Sequence, residues 1–386
     1  MRIAVVSPNL STPALPMRGL SHDEQLQAFA EAGHEVRAVV PLARSPRRWL
    51  AGTTIPDEER DGPVVVAHPR YPWMPRFLRG RSLERRLFAR AAAAVLDAGT
   101  AAPDVVLAHS ASLPGGLLGR VGGAIFVVAL WDHELYELAP HSATPRAALA
   151  RTLRGADCVI YVSEALRRHG ISVAGPHRSV LIPTGIKTYP DLSVVWPERF
   201  TVSTVTRLIP RKRVDRLIRA FARLAADRPD ARLVIVGGGP EGSALASLVR
   251  ALGIENMVEF TGALDARAAR ERLSRTSVMA LPSVRESLAG VYFEAMSVGV
   301  PVLGTRGEGI EEHVDHGVDG ILVPPDDEEA LLAELRALAA DPGRARRIGE
   351  AGRRAFLAGP FTWRASAQAY LALFEELLRG RAIHTT

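Results

Sequence analysis

Cysteine, lysine and long apolar runs are nearly missing from this chain. Among 386 residues there is one cysteine, Cys158. No disulfide can form within the chain, and a reducing compartment suits it. Of the 48 basic residues only Lys187 and Lys212 are lysines. Arginine dominance fits a GC-rich genome, and against it each lysine is informative. No apolar run approaches the roughly 20 residues that span a bilayer, so no transmembrane helix is expected. The opening MRIAVVS lacks the charged-then-apolar layout of a signal peptide and reads as a buried strand. Together these features predict a cytoplasmic protein. His109, His133 and His141 lack HExxH or Cys/His spacing, so no metal site is expected. The net charge is +6 and the pI near 9.9, yet no helix-turn-helix, zinc-finger or RNP-like signature accompanies them. Nucleic acid is therefore not the expected partner; anionic substrates or an anionic membrane surface are.

The composition that remains, 47% apolar and 23% charged, describes a globular protein with a substantial core, and the length suggests two domains. Continuous apolar runs at 2–7, 35–41, 64–68, 104–109, 124–130, 157–162 and 179–182 read as parallel strands buried on both faces. Ser21 with Glu24 forms a capping box ahead of a helix over 25–32, which Gly33 ends. Ser82 and Ser163 are further N-cap candidates. A linker over 183–199 carries Pro183, Pro190 and Pro197. A second series follows, with strands at 201–206, 232–236, 258–260, 278–281, 301–304 and 320–323. Helices are expected at 214–227, 241–253, 265–275, 291–298 and 327–340, and two more near 344–357 and 362–378 close the chain. The alternation predicts an α/β chain of two doubly wound parallel-sheet domains, with ligands at the carboxyl ends of the strands.

The most informative motif is ESLAGVYFE, in which Glu286 and Glu294 stand eight positions apart around a small-residue turn, Ala289–Gly290. Such a turn presents free N–H groups at a helix N-terminus to an anion, while the carboxylates accept hydrogen bonds from hydroxyls. That combination describes a nucleotide-sugar site. The bland alternative for both glutamates is the ordinary helix surface. In RLIPRKR, Arg207 ends a strand and Lys212 opens the next helix after Pro210, so two cations at a strand's carboxyl edge can hold a diphosphate. Arg211 and Arg213 read equally well as surface arginines. LVIVGGGPEG places Gly237 and Gly238 after a strand, where a backbone can approach a ligand, although a tight turn alone would need them too. Residues 70–90 carry seven arginines and one acid interleaved with Trp73, Met74, Phe77 and Leu78, either an interface-seeking segment or a solvated helix face.

These residues resemble the retaining glycosyltransferases of family four, which have the GT-B fold. The E-x7-E pair matches at Glu286 and Glu294, and the diphosphate-gripping pair at Arg207 and Lys212. PSVRESLAGVYFEAMSVGVPVLGT, HGVDGILVPPDD, ADCVIYVSEAL and LIPTGIK follow the family pattern. The opening, with Arg18 and Gly19, is similar to a cell-envelope polysaccharide or teichuronic-acid-type subgroup. The resemblance implies two Rossmann-like domains facing across a cleft: 1–185 binding the acceptor, 186–365 binding the nucleotide sugar, and a helix over 366–386 packing back on the first. It implies transfer from a UDP- or GDP-sugar to a glycan, lipid-linked or small-molecule acceptor, with no metal or other cofactor. Glu294 would take the ribose hydroxyls and Glu286 those of the moving sugar. Amides of Ser287, Leu288, Ala289 and Gly290 would meet sugar and phosphate, Gly19 would approach the diphosphate, and backbone near Gly262 and Leu264 would read the base. His109, Trp131 and His133 fall on the acceptor side.

The chain departs from the family pattern at Thr206 and Ala289, where glycines are usual, at Lys187 in place of an aspartate, and at Trp131 in place of a histidine. Three alternatives stay open: another GT-B enzyme such as a phosphorylase or sugar-nucleotide epimerase, a non-catalytic nucleotide-sugar-binding subunit, and a basic membrane- or nucleic-acid-binding protein.

Overall fold

The computed structural model describes residues 1–8, 10, 22–44, 55–73, 81–97, 102–109, 121–131, 135 and 143–384. Arg18, Gly19, Ser21, His133 and His141 lie outside the described residues. Two compact units are formed, Met1–Gly185 with Thr362–Thr386, and Ile186–Phe361.

The first unit contains strands β1 (Arg2–Val6), β2 (Glu35–Val39), β3 (Leu42–Arg44), β4 (Glu58–Asp61), β5 (Val64–Ala67), β6 (Arg70–Pro72), β7 (Val105–Ala108), β8 (Ile125–Leu130), β9 (Cys158–Tyr161) and β10 (Ser179–Leu181). Eight of them form one sheet in the order β10-β9-β8-β7-β1-β2-β5-β4, while β3 and β6 pair separately. All pairs are parallel except β4 with β5. Every residue of β7, β8 and β9 is buried, as continuous apolar runs require of strands covered on both faces. The Cys158 thiol is buried there, and burial pushes its pKa up to about 11, so it is no thiolate at neutral pH.

Around this sheet are helices α1 (His22–Glu31), α2 (Arg81–Asp97), α3 (Ala143–Gly155) and α4 (Glu164–Ala174). The Ser163 hydroxyl caps α4 by accepting the Leu166 N–H at 3.2 Å. Ser82, expected as a cap, falls inside α2 instead, because the helix already begins at Arg81. Gly33 follows α1 with φ of +87°, a conformation that favours glycine.

The second unit contains β11 (Thr201–Val205), β12 (Arg232–Val236), β13 (Val258–Gly262), β14 (Val278–Ala280), β15 (Val302–Thr305) and β16 (Ile321–Val323). They form a parallel sheet ordered β13-β12-β11-β14-β15-β16. Its helices are α5 (Val214–Asp227), α6 (Gly242–Ala251), α7 (Ala266–Leu273), α8 (Gly290–Val298), α9 (Glu328–Ala340) and α10 (Pro342–Ala358). In α5 the buried residues Val214, Leu217, Ile218, Phe221, Leu224 and Ala225 recur at helical spacing and pack on α9 and the sheet.

The last helix, α11 (Trp363–His384), belongs to the first unit. Tyr370 and Phe374 enter that unit's core and meet Phe29 of α1 at ring centroid distances of 6.0 and 6.1 Å. Gly185 lies against the start of α11 so closely that a Cβ would sit 2.4 Å from the Trp363 Cα.

Candidate active site

Strands β11 and β14 are neighbours and parallel, paired through Val202–Val278 and Ser203–Met279. The segments that leave their carboxyl ends therefore emerge side by side. One carries Thr206 to Arg213, the other Leu281 to Ala289, and three contacts brace them. Val284 donates its N–H to the Arg211 carbonyl at 2.9 Å. Arg211 Nη1 donates to the Arg285 carbonyl at 3.1 Å. The Lys212 ammonium donates to Glu286 Oε2. Lys212 is 8% exposed and Glu286 3%, so each charge depends on the other, with Arg211 Nη1 a further 3.6 Å from the same oxygen. Lys212 was expected to open the following helix. It ends a short 3-10 turn, Pro210–Lys212, and α5 begins only at Val214.

Backbone strain flanks both members of the pair. Arg213, next to Lys212, has φ of +52°, and Arg285, next to Glu286, has φ of +53°. Non-glycine residues in this region carry roughly 1–3 kcal/mol each and persist only where surroundings over-determine them. The surroundings are visible. Arg213 and Arg216 both pair with Asp326, at 2.9 and 3.1 Å. The Glu308 carboxylate accepts the N–H groups of Arg285 and Glu286 at 2.9 and 2.6 Å. Burial raises the Glu308 pKa, and those two donors offset only part of the rise. Tyr292, buried in α8, ties the same segment to the sheet through its hydroxyl, which donates to the Leu281 carbonyl at 2.6 Å.

The segment then enters α8. Ala289 is its N-cap residue and makes no side-chain cap, and no acid stands in the first turn. First-turn N–H groups without a capping side chain suit an anion. Ala289 has φ of −78° and ψ of 112°, ordinary for alanine, so its replacement of a glycine introduces no strain. Ser287, Leu288 and Ala289 are buried, and Gly290 is half-buried. Glu294 follows one turn into α8, its side chain 31% exposed.

The other expected residues of the second unit are at the same edge of its sheet. Arg207 is exposed and makes no ion pair among the described residues. Gly237, with φ of +132°, serves a crossing of loops: a Cβ would lie 1.9 Å from the Thr206 carbonyl oxygen. Gly238 has open space on its Cβ side. Gly262, with φ of +72°, accepts the Gly237 N–H at 2.8 Å, and Leu264 is an exposed apolar residue two positions on. In the first unit, His109 and Trp131 follow β7 and β8 and meet edge to face with centroids 4.5 Å apart. Among the described residues no group of three or more His, Cys, Asp or Glu side chains could hold a metal ion.

Two residues escaped the sequence. Glu308 had no signal beyond an acid between glycines after a strand. Arg270 had one: helical spacing puts it on the face of α7 that buries Ala269 and Leu273. In an arginine-rich chain that placement does not stand out.

Residues 23–189 match the family description "Glycosyltransferase Family 4", and residues 194–355 match "Glycosyl transferases group 1". A GDP-mannose-dependent alpha-(1-6)-phosphatidylinositol monomannoside mannosyltransferase from Mycolicibacterium smegmatis is 32% identical, over 96% of this chain and 98% of its own. A protein of the same description from Mycobacterium tuberculosis is 30% identical, over 86% and 88%. These matches support a cell-envelope glycosyltransferase relationship and do not single out a teichuronic-acid subgroup. Among solved structures, the sucrose-phosphate synthase of Thermosynechococcus elongatus superposes with a TM-score of 0.81 at 22% identity, covering 98% of this chain and 100% of that one. Anabaena HepE in complex with UDP and glucose gives 0.74 at 19% identity, covering 97% and 100%. At those identities the likeness is one of fold.

Proposed function

The chain belongs to the family-four glycosyltransferases and has their GT-B architecture; from that premise we propose that it transfers mannose from GDP-mannose to a hydroxyl of a lipid-linked glycan, with retention and without a metal. The buried Lys212–Glu286 pair at the carboxyl edge of the second sheet carries this reading. The donor and the class of acceptor follow the full-length mycobacterial relatives.

In this reading the diphosphate competes with Glu286 for Lys212. Once Lys212 turns to the phosphate, Glu286 is free to accept from hydroxyls of the sugar. Arg207, exposed and in no ion pair among the described residues, supplies a second positive charge. Amides of Ser287 to Gly290 face the sugar and phosphate, Glu294 takes the ribose hydroxyls, and Gly238, Gly262 and Leu264 line the nucleoside end. The bond from the anomeric carbon to the diphosphate oxygen breaks, leaving its electron pair on that oxygen. The acceptor oxygen bonds the anomeric carbon on the same face, and its proton passes to the departing phosphate. Lys212 and Arg207 stabilise the charge that grows there.

The first unit supplies the acceptor side, with His109 and Trp131 as its candidates. Within residues 70–90, Leu83, Arg86 and Arg90 are exposed on α2 while Phe88 and Ala89 are buried. That basic face supports peripheral contact with anionic lipid. No helix of the described residues is long and apolar enough to cross a membrane.

The test is labelled GDP-mannose with liposomes carrying phosphatidylinositol monomannoside. Label should enter the lipid, GDP should appear only with acceptor, EDTA should leave the rate unchanged, and NMR should find an α-linkage. GDP release without acceptor, or no transfer to any lipid-linked glycan, would overturn the proposal.

A further inference from the structure

Arg270 is among the largest fully buried side chains in the described structure, at 1% exposure. Burial lowers its pKa, and the Glu294 carboxylate opposes that shift. A guanidinium removed from water is tolerated only where acceptors converge on it. Here most of them belong to Glu294 or serve it. Arg270 Nη1 donates to the Glu294 carbonyl at 3.0 Å and to Ser297 Oγ at 2.7 Å. The Ser297 hydroxyl donates to that same carbonyl at 2.7 Å. Nη2 lies 3.3 Å from Glu294 Oε2 and 3.4 Å from the Lys187 carbonyl. The guanidinium is seated over the Tyr189 ring at 5.8 Å, with Arg267 over the same ring at 5.6 Å. Arg267 is in turn fixed by Asp191 at 2.6 Å.

The consequence is geometric. Glu294 is gripped from beneath at its carbonyl and at one carboxylate oxygen, while the rest of its side chain meets solvent. A carboxylate held this way keeps one orientation, and two acceptor oxygens are what a vicinal diol requires. We propose that Arg270 is a positioning residue that acts through Glu294, and that the pair sets the preference of this site for a ribonucleotide over a deoxyribonucleotide. This rests on the donor-site reading above. Arg270 does not touch the reacting atoms, and its loss acts on donor affinity rather than on turnover at saturating donor.

The test is a competition titration with GDP and 2′-deoxy-GDP, joined to steady-state kinetics. Wild type should prefer GDP by about tenfold, as expected for one lost hydrogen bond to a charged group. In Glu294→Gln and in Arg270→Gln that preference should fall to about twofold or less, donor KM should rise roughly tenfold, and kcat should change little. The double variant should discriminate no worse than Glu294→Gln alone. Arg270→Lys keeps the charge but cannot reach carbonyl and carboxylate together, so its preference should be intermediate; it serves if Arg270→Gln does not fold. Full wild-type discrimination in folded Arg270→Gln, or in Arg270→Lys, would overturn the inference alone. Wild-type protein that bound neither GDP nor UDP would refute the donor-site reading, and this inference with it.

Discussion

Replacing Lys212 by methionine keeps most of the side chain's volume and removes only its charge. Two effects follow. First, Glu286 is left buried with Arg211 Nη1 at 3.6 Å as its remaining cation. Breaking a fully buried pair costs about 3–5 kcal/mol, and the surviving arginine should bring this to about 2–3 kcal/mol. For a unit of this size that is a drop in Tm of roughly 5–10 °C. Second, the leaving diphosphate loses a preorganised charge donor. Losses of this kind lower turnover by about two orders of magnitude, or about 2.7 kcal/mol of transition-state stabilisation. The effects separate in a second variant. Lys212→Met with Glu286→Gln removes the stranded charge and should recover most of the Tm, while turnover stays low. Differential scanning fluorimetry and initial rates of GDP release in the presence of acceptor read both quantities. Turnover of folded Lys212→Met within threefold of wild type would refute the role given to this ammonium.

Other consequences are equally open to measurement. Glu308→Ala strips the acceptor from two N–H groups around a left-handed residue, so it should destabilise by about 1–3 kcal/mol and lower kcat; unchanged melting and kinetics would show that Glu308 does not hold the segment. Gly237→Ala should unfold the second unit or cut its Tm sharply, because its Cβ would lie on the Thr206 carbonyl, whereas Gly238→Ala should keep the Tm and raise donor KM; equal Tm losses in both would remove Gly238 from the donor site. Burial against the mutually stacked Phe293 and Phe361 rings holds the His313 pKa below its ordinary value. Its neutral form is the native one, so its contribution is present above the ordinary histidine range and lost as pH falls through the lowered value. Chemical denaturation from pH 7.5 to 5 should show that loss in wild type and less of it in His313→Leu; identical slopes would refute it.

The strands were legible because their chemistry is simple. Runs such as VVLA and IFVVAL are apolar throughout, and only a strand covered on both faces needs that. The strands missed, β3, β4 and β6, are short and polar; EERD and RYP form strands because neighbours pair with them, not because of their own pattern. In the site, Lys212 and Glu286 could each be marked from its own motif, but their ion pair with one another could not. Arg207 could be placed at the same edge, where it is exposed. Gly237 illustrates the limit of a motif, since its freedom is used by the Thr206 carbonyl. Arg270 and Glu308 did not stand out because their partners lie 24 and 22 positions away; helical spacing marks the burial of Arg270 but not what it holds.

The most direct measurement is calorimetric titration of GDP-mannose into wild type, Lys212→Met and Glu294→Gln. Saturable 1:1 binding by wild type, weakened roughly tenfold or more in each variant, is the expected result. Equal affinity in all three proteins would place the donor elsewhere and contradict the site described for the second unit.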